Sequence, residues 1–293
     1  MGPQGTNRLS EAGNAGRSSP AHVMVGNAGR SSPATRGADV AVLDIGTTTL
    51  SLALVAGGGI RVRADVPTRP PRTPGGYARL VAALAGARTL AEAGLDGLGV
   101  ASVVPGAAGA VRAAGRRAGV PVVEVSARAA PIPLGYDDPG ELGADRVANA
   151  LGALDRYRAP VIVVDLGTAT TMEVVSAAGV LIGGAIAPGV GIGLAALRHH
   201  APHLPAVALT PPGDGDPVVA TTTATALRSG VLWGAGALVD GLVAHAWRMV
   251  GPCPVVATGG GARVAAAGSR TVTAVDEDLT LWGVYLGYLA GRT

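Results

Sequence analysis

The sequence predicts an α/β protein built from two related halves. From residue 39 onward, short valine-rich runs alternate with longer alanine- and leucine-rich runs, the pattern of strands alternating with helices. A motif of the form Asp-x-Gly-Thr follows a valine-rich run twice, first at Asp44 and again at Asp165. Since 48% of the 293 residues are hydrophobic and only 15% are charged, the chain has enough apolar material for two cores.

The predicted strands are short apolar runs bounded by Gly, Pro, Asp or Arg. They cover 40–43, 51–55, 61–66, 98–103, 122–125, 161–164, 171–175, 180–186, 255–257 and 272–275. The predicted helices are the longer alanine- and leucine-rich runs. They cover 77–93, 109–118, 144–157, 194–200, 222–250 and 279–289.

The helix predicted over 144–157 carries apolar residues at helical spacing from Val147 onward, so one of its faces belongs to the core. Its first turn presents Asp145 and Arg146 to a ligand or to solvent. The uncharged run 174–197 is long enough for a membrane span, but six glycines and Pro188 interrupt it. That composition favours buried strands and turns, and we expect no membrane partner.

Three segments are expected along the chain. Residues 1–37 are predicted to be a disordered extension, since they are polar and residues 13–21 recur verbatim as 26–34. Residues 38–157 and 158–293 are predicted to form the two related halves. The chain shows no secretory signal pattern and has one cysteine, Cys253, so a cytoplasmic location is expected.

The charged residues exclude several classes of site. The chain contains no lysine, which excludes a P-loop lysine and a Schiff-base lysine. The formal net charge of +3 is that of residues 1–38, which carry four arginines and one glutamate. Because the remaining chain is neutral, the basic composition gives no argument for a nucleic-acid partner.

Each copy of the repeated motif has the chemistry of a phosphate site. A strand ends on an Asp, a Gly permits a tight turn, and hydroxyl side chains with backbone N–H groups follow. The carboxylate is placed to hold a hydrated Mg²⁺. One copy alone would be explained as a hairpin turn, whereas two copies at domain-like spacing favour ligand binding. Gly259 and Gly260 follow a late strand and would let a nucleotide lie against the backbone.

Several motifs together resemble the type III pantothenate kinases, a family with the actin/hexokinase/Hsp70-type ATPase fold. The resemblance covers roughly residues 41–286. Gly-Ala-Asp-Arg at 143–146, followed by Asp-Leu-Gly-Thr-Ala-Thr at 165–170, is its most specific part. The other motifs are Asp-Ile-Gly-Thr-Thr at 44–48, Ser-Val-Val-Pro at 102–105, Tyr-Asp-Asp-Pro at 136–139, the Gly-Gly-Ala-Ile-Ala-Pro-Gly run at 183–189, Arg-Ser-Gly at 228–230, Thr-Gly-Gly at 258–260 and Asp-Glu-Asp-Leu-Thr-Leu at 276–281.

The resemblance implies two duplicated ribonuclease-H-like domains with a cleft between them. It implies ATP-dependent phosphorylation of the primary hydroxyl of pantothenate, the first step of coenzyme A biosynthesis. The implied enzyme is a homodimer that uses ATP, Mg²⁺ and a monovalent cation, K⁺ or NH₄⁺.

The family's functional residues map onto matching positions of this chain. Asp145 is implied as the catalytic base, and Asp44 and Asp165 as the metal ligands. The implied ATP and phosphate contacts are Asp44, Gly46, Thr47, Thr48, Gly167, Thr168, Thr170, Gly259 and Gly260. The implied substrate contacts are Tyr136, Gly143, Arg146 and, from the other subunit, Thr223.

The chain departs from the family pattern at three places. Thr47 stands where the family has Asn, Ala-Thr-Thr-Thr at 220–223 replaces Gly-x-Asn-Thr, and Thr-Pro-Gly-Gly at 73–76 replaces Thr-Ala-Asp-Glu. These changes are compatible with a diverged substrate. Two alternatives therefore stay open: a kinase of the same fold acting on another small hydroxyl-bearing metabolite, and a noncatalytic regulatory homologue. Asp145 with Arg146 could likewise be a surface ion pair at a helix start.

Overall fold

The N-terminal half is a six-stranded sheet flanked by helices. The computed structural model describes residues 22–25, 39–211, 213 and 216–292. The strands lie in the order β1-β4-β3-β2-β5-β6, with β2, β3 and β4 as an antiparallel meander and β5 and β6 parallel to β2. The elements are β1 (His22–Val25), β2 (Val40–Ile45), β3 (Thr49–Ala56), β4 (Gly59–Pro67), α1 (Pro74–Leu84), β5 (Gly97–Ser102), α2 (Ala107–Ala118), β6 (Val122–Glu124) and α3 (Ala144–Tyr157).

The C-terminal half repeats this arrangement with five strands. The order β11-β10-β7-β8-β9 is that of the first sheet without β1, and the strand directions also match. The elements are β7 (Val161–Leu166), β8 (Ala169–Val175), β9 (Leu181–Pro188), α4 (Val190–His200), α5 (Thr223–Val250), β10 (Val255–Thr258), α6 (Ala262–Gly268), β11 (Ala274–Val275) and α7 (Leu279–Ala290). The predicted α/β class with two duplicated halves is confirmed.

Helices α3 and α7 pack against each other where the halves meet. A Cβ atom on Gly283 would overlap the carbonyl of Ala148, and one on Gly152 would overlap the carbonyl of Leu279. Backbone therefore meets backbone at this crossing. The buried cluster around the two helices draws residues from both sheets, so the halves share one core there. Each half also has its own cluster on the far face of its sheet.

One helix prediction was wrong at both of its ends. The helix predicted over 77–93 ends at Leu84, because the chain turns at Gly86 with φ +67°, and a separate 3₁₀ turn follows at Ala91–Ala93. Its start lies earlier than predicted, because Thr73 caps it and accepts a hydrogen bond from the Gly76 N–H at 3.2 Å. Helix α6 was not predicted.

Part of the segment predicted to be disordered forms a strand. Strand β1 pairs antiparallel with β4, with His22 opposite Asp65 and Val25 opposite Val62. These four residues, His-Val-Met-Val, form the apolar run between the two polar repeats, which gives them the β propensity that the repeats lack. Residues 1–21 and 26–37 lie outside the described part of the chain. The limits of the two halves stay a prediction.

The uncharged run 174–197 folds as the end of β8, strand β9 and most of α4. It was predicted to form buried strands and turns, but alternate residues of β9 are exposed from Gly184 onward and α4 buries only Leu194. Helix α5 is long and apolar enough by length and composition to cross a membrane, a test that core helices of soluble proteins also pass. One face of α5 packs Val239 and Val243 into the core of the C-terminal half.

Candidate active site

The two copies of the repeated motif face each other across the cleft between the halves. Strand β2 ends beside Asp44 and strand β7 beside Asp165, and each is followed by a tight turn. The Oγ1 atoms of Thr48 and Thr168 lie 2.6 Å apart, and the hydroxyl of Thr47 donates to Thr168 Oγ1 at 3.2 Å. Hydroxyl groups from both halves therefore meet at one point.

Three carboxyl groups crowd the inner part of this cleft. Burial raises the pKa of Asp44 well above its usual value, and the charges of Asp145 and Asp165 raise it further. Burial raises the pKa of Asp165 to about 6, against a hydrogen bond from Asn149 that lowers it. Burial also raises the pKa of Asp145, although the backbone N–H and charge of Arg146 oppose the rise. A bound cation would reduce the repulsion between these like charges in a buried site.

This donor set fits Mg²⁺ held together with a nucleotide. Within the described residues, no group of three or more His, Cys, Asp or Glu side chains could hold a metal ion. Magnesium is usually bound through one or two carboxylates, with phosphate oxygens and waters completing its octahedron. Asp44 and Asp165, one from each half, are suited to that role.

Glycines give the carboxylates their space. A Cβ atom on Gly259, whose φ is +82°, would overlap Oδ1 of Asp165, and one on Gly143 would overlap Oδ1 of Asp145. The N–H of Gly46 donates to Thr49 O and the N–H of Gly167 donates to Ala169 O, each at 3.0 Å. These last two N–H groups close the turns, so any phosphate donors must come from the residues that follow.

Arg146 is held on three sides at the start of α3. Its Nε donates to Oε1 of Glu173 at 2.9 Å, and its Nη2 donates to the hydroxyl of Tyr136 at 3.0 Å and to Met172 O at 3.3 Å. Its side chain is 12% exposed and that of Glu173 is 0% exposed. A Cβ atom on Gly184 would crowd Nη2 of Arg146, so the guanidinium lies against bare backbone. Burial raises the pKa of Glu173 to about 7, against the charge of Arg146.

Sequence reasoning missed Glu173 and Asn149. Asn149 is fully buried on α3, and its amide Nδ2 donates to Asp165 Oδ2 at 3.2 Å and to Glu173 Oε2 at 3.3 Å. A charged residue inside the apolar strand β8 was a usable signal. For Asn149 the signal was weaker: an amide among the small and apolar residues of an amphipathic helix.

A sequence model of type III pantothenate kinases matches residues 40–245. The type III pantothenate kinase of Anaeromyxobacter dehalogenans strain 2CP-C is 38% identical over 248 residues, which are 83% of this chain and 95% of that protein. The Roseiflexus castenholzii type III pantothenate kinase is 40% identical over 254 residues, 85% of this chain and 98% of that protein. This chain belongs to the type III pantothenate kinase family.

Membership makes this pantothenate kinase a phosphotransferase, as its motifs indicated. A solved structure, component A of (R)-2-hydroxyglutaryl-CoA dehydratase from Acidaminococcus fermentans, shares the fold alone. It has a TM-score of 0.52 at 15% identity and covers 87% of this chain and 100% of that one.

Three residues that the kinase motifs singled out differ in how exposed they are. Thr223 is the exposed first residue of α5, and no hydrogen bond within the described residues joins its side chain to Tyr136 or Arg146. Thr170 is buried, with its hydroxyl donating to Pro188 O at 3.4 Å, so it braces β8 against β9. Gly260 lies exposed beside Gly259 at the turn into α6.

Proposed function

We propose that this type III pantothenate kinase transfers the γ-phosphoryl group of ATP to the primary hydroxyl of pantothenate, giving 4'-phosphopantothenate for coenzyme A biosynthesis. One observation carries the assignment of residues. Asp145 and Arg146 stand side by side at the start of α3, in the cleft where the two Asp-x-Gly-Thr turns meet. This arrangement supports the assignment of a base, a substrate anchor and a phosphate site to one cleft.

Asp145 is the catalytic base in this proposal. Its Oδ1 accepts the backbone N–H of Arg146 at 2.8 Å, which fixes the carboxylate, and Gly143 leaves room in front of it. The group orients the substrate hydroxyl and accepts its proton. An ordinary carboxylate suffices because the proton leaves late in a loose phosphoryl-transfer transition state.

Asp44 and Asp165 would hold Mg²⁺, which when bound neutralises charge on the transferred phosphoryl group. The hydroxyls of Thr47, Thr48 and Thr168 would contact phosphate oxygens from both halves. Gly46 and Gly167 shape the turns, while Gly259 and Gly260 let the nucleotide lie close to the backbone. Because the chain has no lysine, these neutral donors and the metal supply the electrostatic stabilisation. A monovalent cation, K⁺ or NH₄⁺, is proposed alongside them.

Pantothenate is proposed to contact Tyr136, Gly143 and Arg146, with Thr223 supplied by the partner subunit of a homodimer. Support for the dimer comes from the outward face of α5. A Cβ atom added to Gly230, Gly234 or Gly241 would enter open space there, and Leu238 is 39% exposed. We place the enzyme in the cytoplasm, without membrane or nucleic-acid partners.

The test is a product assay on the purified full chain. Pantothenate, pantetheine and a panel of small alcohols are each incubated with ATP, with and without Mg²⁺, and with K⁺, NH₄⁺ or Na⁺. Phosphorylated products are identified by mass spectrometry, and light scattering gives the subunit number. We expect Mg²⁺-dependent 4'-phosphopantothenate from a dimer. Preferential phosphorylation of another alcohol would assign a different acceptor, and ATP binding without any product would favour the regulatory homologue.

A further inference from the structure

A chain of three hydrogen bonds connects Arg146 to α7 through buried side chains, and a fourth bond branches from it to Asp165. Arg146 Nε donates to one oxygen of Glu173, and Asn149 Nδ2 donates to the other. The same Nδ2 donates to Asp165 Oδ2 at 3.2 Å. The hydroxyl of Thr280 donates to Asn149 Oδ1 at 2.7 Å. The substrate-side arginine and the metal-side aspartate are therefore joined through one buried carboxylate and one amide.

The carboxylates of Glu173 and Asp165 fix which way the amide of Asn149 points, and the Thr280 hydroxyl holds its oxygen. With the Thr280 hydroxyl on Oδ1, the amide nitrogen faces the carboxylates of Glu173 and Asp165. The reversed amide would set its oxygen against two carboxylates, which is unfavourable. The three residues Asn149, Glu173 and Thr280 form what we call the bridging network.

Arg146 leaves one nitrogen for a ligand. Nε and Nη2 are used by Glu173, Tyr136 and Met172, whereas Nη1 makes no hydrogen bond within the described part of the chain. The guanidinium is planar, so fixing two of its nitrogens fixes the direction of the third. Glu173 thus sets where Nη1 can meet the substrate.

We propose that the bridging network positions Arg146 for the acceptor substrate and Asp165 for the metal, and that Glu173 is its central residue. The proposal rests on the assignment of Arg146 and Asp165 in the proposed function. Glu173 is a positioning residue, because Arg146 and Asn149 stand between it and the cleft contents. Both of its oxygens are needed, since each accepts from a different donor.

Glu173→Gln tests the need for two acceptor oxygens. Glutamine keeps the shape but offers one acceptor, so its NH₂ must face either Arg146 Nε or Asn149 Nδ2, both donors. We expect the KM for pantothenate to rise about tenfold or more, as for a hydrogen bond lost from a charged group, with a smaller fall in kcat. The KM for ATP should change less than the KM for pantothenate.

Thr280 supplies the second variant pair. Thr280→Val is nearly isosteric but removes the hydroxyl that donates to Asn149 Oδ1, so the amide is held less firmly and the same KM should rise severalfold. Thr280→Ser keeps the hydroxyl and should restore the wild-type KM. Asp240→Asn is the matched control for a lost carboxylate, because Asp240 accepts from Ser269, Arg270 and Thr271 in a loop at α6. It should lower the melting temperature and leave both KM values unchanged.

The outcomes separate this proposal from the function it rests on. Wild-type KM values in Glu173→Gln, or in Thr280→Val, would overturn the positioning role. Equal KM shifts in Thr280→Ser and Thr280→Val would also overturn it, since the hydroxyl would then be irrelevant. If Arg146→Lys leaves the KM for pantothenate unchanged, the assignment of Arg146 itself fails. Should Glu173→Gln not fold, the Thr280 pair decides the question.

Discussion

The two sheets carry ion pairs at related positions with the charges exchanged. In the C-terminal half, Arg146 from the start of α3 meets Glu173 on β8. In the N-terminal half, Asp278 at the start of α7 meets Arg63 on β4, with Nη1 to Oδ1 at 3.1 Å. Each helix start thus reaches the sheet of the opposite half.

The strand register shows which positions of the two sheets are equivalent. Glu173 pairs with Val163, which lies two residues before Asp165 on β7. The equivalent residue in the N-terminal sheet is Ala53, which pairs with Val42, two residues before Asp44 on β2. Across the next strand pair, Glu173 faces Gly184, whereas Ala53 faces Arg63. In one sheet the strands supply the anion, a bare glycine leaves room, and the helix supplies the cation. In the other sheet the strand supplies the cation and the helix the anion.

The difference lies in what each arginine has left to offer. Arg63 gives Nη1 to Glu277 O and Asp278 and gives Nη2 to Asp65, and its Nε makes no hydrogen bond in the described part of the chain but is buried, out of reach of a ligand. Arg146 keeps Nη1 unbonded within the described residues and pairs with a carboxylate that is 0% exposed, while Asp278 is 38% exposed. The Arg63 pair is therefore closed upon the protein, whereas the Arg146 pair keeps one nitrogen for the substrate contact proposed above.

The largest expected effect is a difference in kcat between variants of Asp145 and Asp278, the carboxylates at the starts of α3 and α7. Asp145→Asn keeps shape but removes the proposed base, so kcat should fall roughly 10²–10⁴-fold while Mg·ATP binding changes little. Asp278→Asn at the start of α7 should leave kcat near wild type and cost at most about 1 kcal/mol of stability, as for an exposed ion pair. Steady-state kinetics, nucleotide titration and urea unfolding measure these quantities. Comparable kcat losses in both variants would break the distinction.

The second effect concerns stability. Arg146→Gln leaves Glu173 as a buried, unpaired carboxylate, and we expect a loss of about 3–5 kcal/mol in the free energy of unfolding near pH 8. Arg63→Gln leaves two partly exposed carboxylates that water can reach, so its cost should be nearer about 1 kcal/mol. Urea unfolding of both variants gives the comparison.

The pH dependence of that stability loss identifies its cause. The pKa of Glu173 already stands at about 7 beside Arg146, and removing the positive charge raises it further. The folded variant then takes up a proton at neutral pH that the unfolded chain releases, so its stability rises as pH falls. The deficit of Arg146→Gln against wild type should shrink between pH 8 and pH 6. A deficit that stays constant over this range would point to lost packing instead.

Sequence patterning predicted the fold because its signals are local. The strand runs at 40–43 and 161–164 lie inside β2 and β7, and the three aspartates fall at strand ends and at a helix start, where motifs can be read directly. Sequence analysis missed Glu173 and Asn149 because their roles depend on contacts between α3 and the sheet of the other half. The break of the first predicted helix at Gly86 likewise required the backbone angle, since an isolated glycine is tolerated in helices.

The third effect is the pH dependence of metal binding by Asp44 and Asp165, the two aspartates proposed to hold the metal. A metal ligand must be ionised, and the pKa of Asp165 is about 6 while that of Asp44 is also raised. The affinity for Mn²⁺ should therefore strengthen as pH rises. For Asp165 alone the gain should be about tenfold or more from pH 5 to pH 7.5, because at one pH unit below its pKa only about a tenth of the carboxyl groups are ionised. Mn²⁺ titration without nucleotide, followed by electron paramagnetic resonance, measures this.

The control for that titration is again Asp240→Asn. Burial acts to raise the pKa of Asp240, but hydrogen bonds from Ser269, Arg270 and Thr271 together lower it below its usual value, so this group is ionised throughout the range. The variant should retain the wild-type pH dependence. Affinity for Mn²⁺ that does not change with pH would show that the two cleft aspartates are not the ligands.

The smallest effect tests whether the two motif copies contribute equally at their point of contact. Among the described residues, Thr168 Oγ1 is hydrogen-bonded to both Thr47 and Thr48, whereas Thr48 Oγ1 is hydrogen-bonded to Thr168 alone. Thr→Val removes a hydroxyl at nearly constant shape, and one hydrogen bond is worth about 0.5–1.5 kcal/mol net, or about 2–10-fold in affinity. We expect Thr48→Val to raise the KM for ATP within that range and Thr168→Val to raise it more.

The melting temperature shows whether the Thr48 hydroxyl contacts phosphate or instead holds the two halves together. Thr48 is exposed, so water can replace the lost partner in the ligand-free enzyme and the melting temperature should stay within about one degree, because a loss well under 1 kcal/mol shifts it little. Thr48→Ser should restore the KM for ATP. If Thr48→Val instead lowers the melting temperature and leaves the KM for ATP unchanged, the hydroxyl pair holds the halves together and takes no part in binding phosphate.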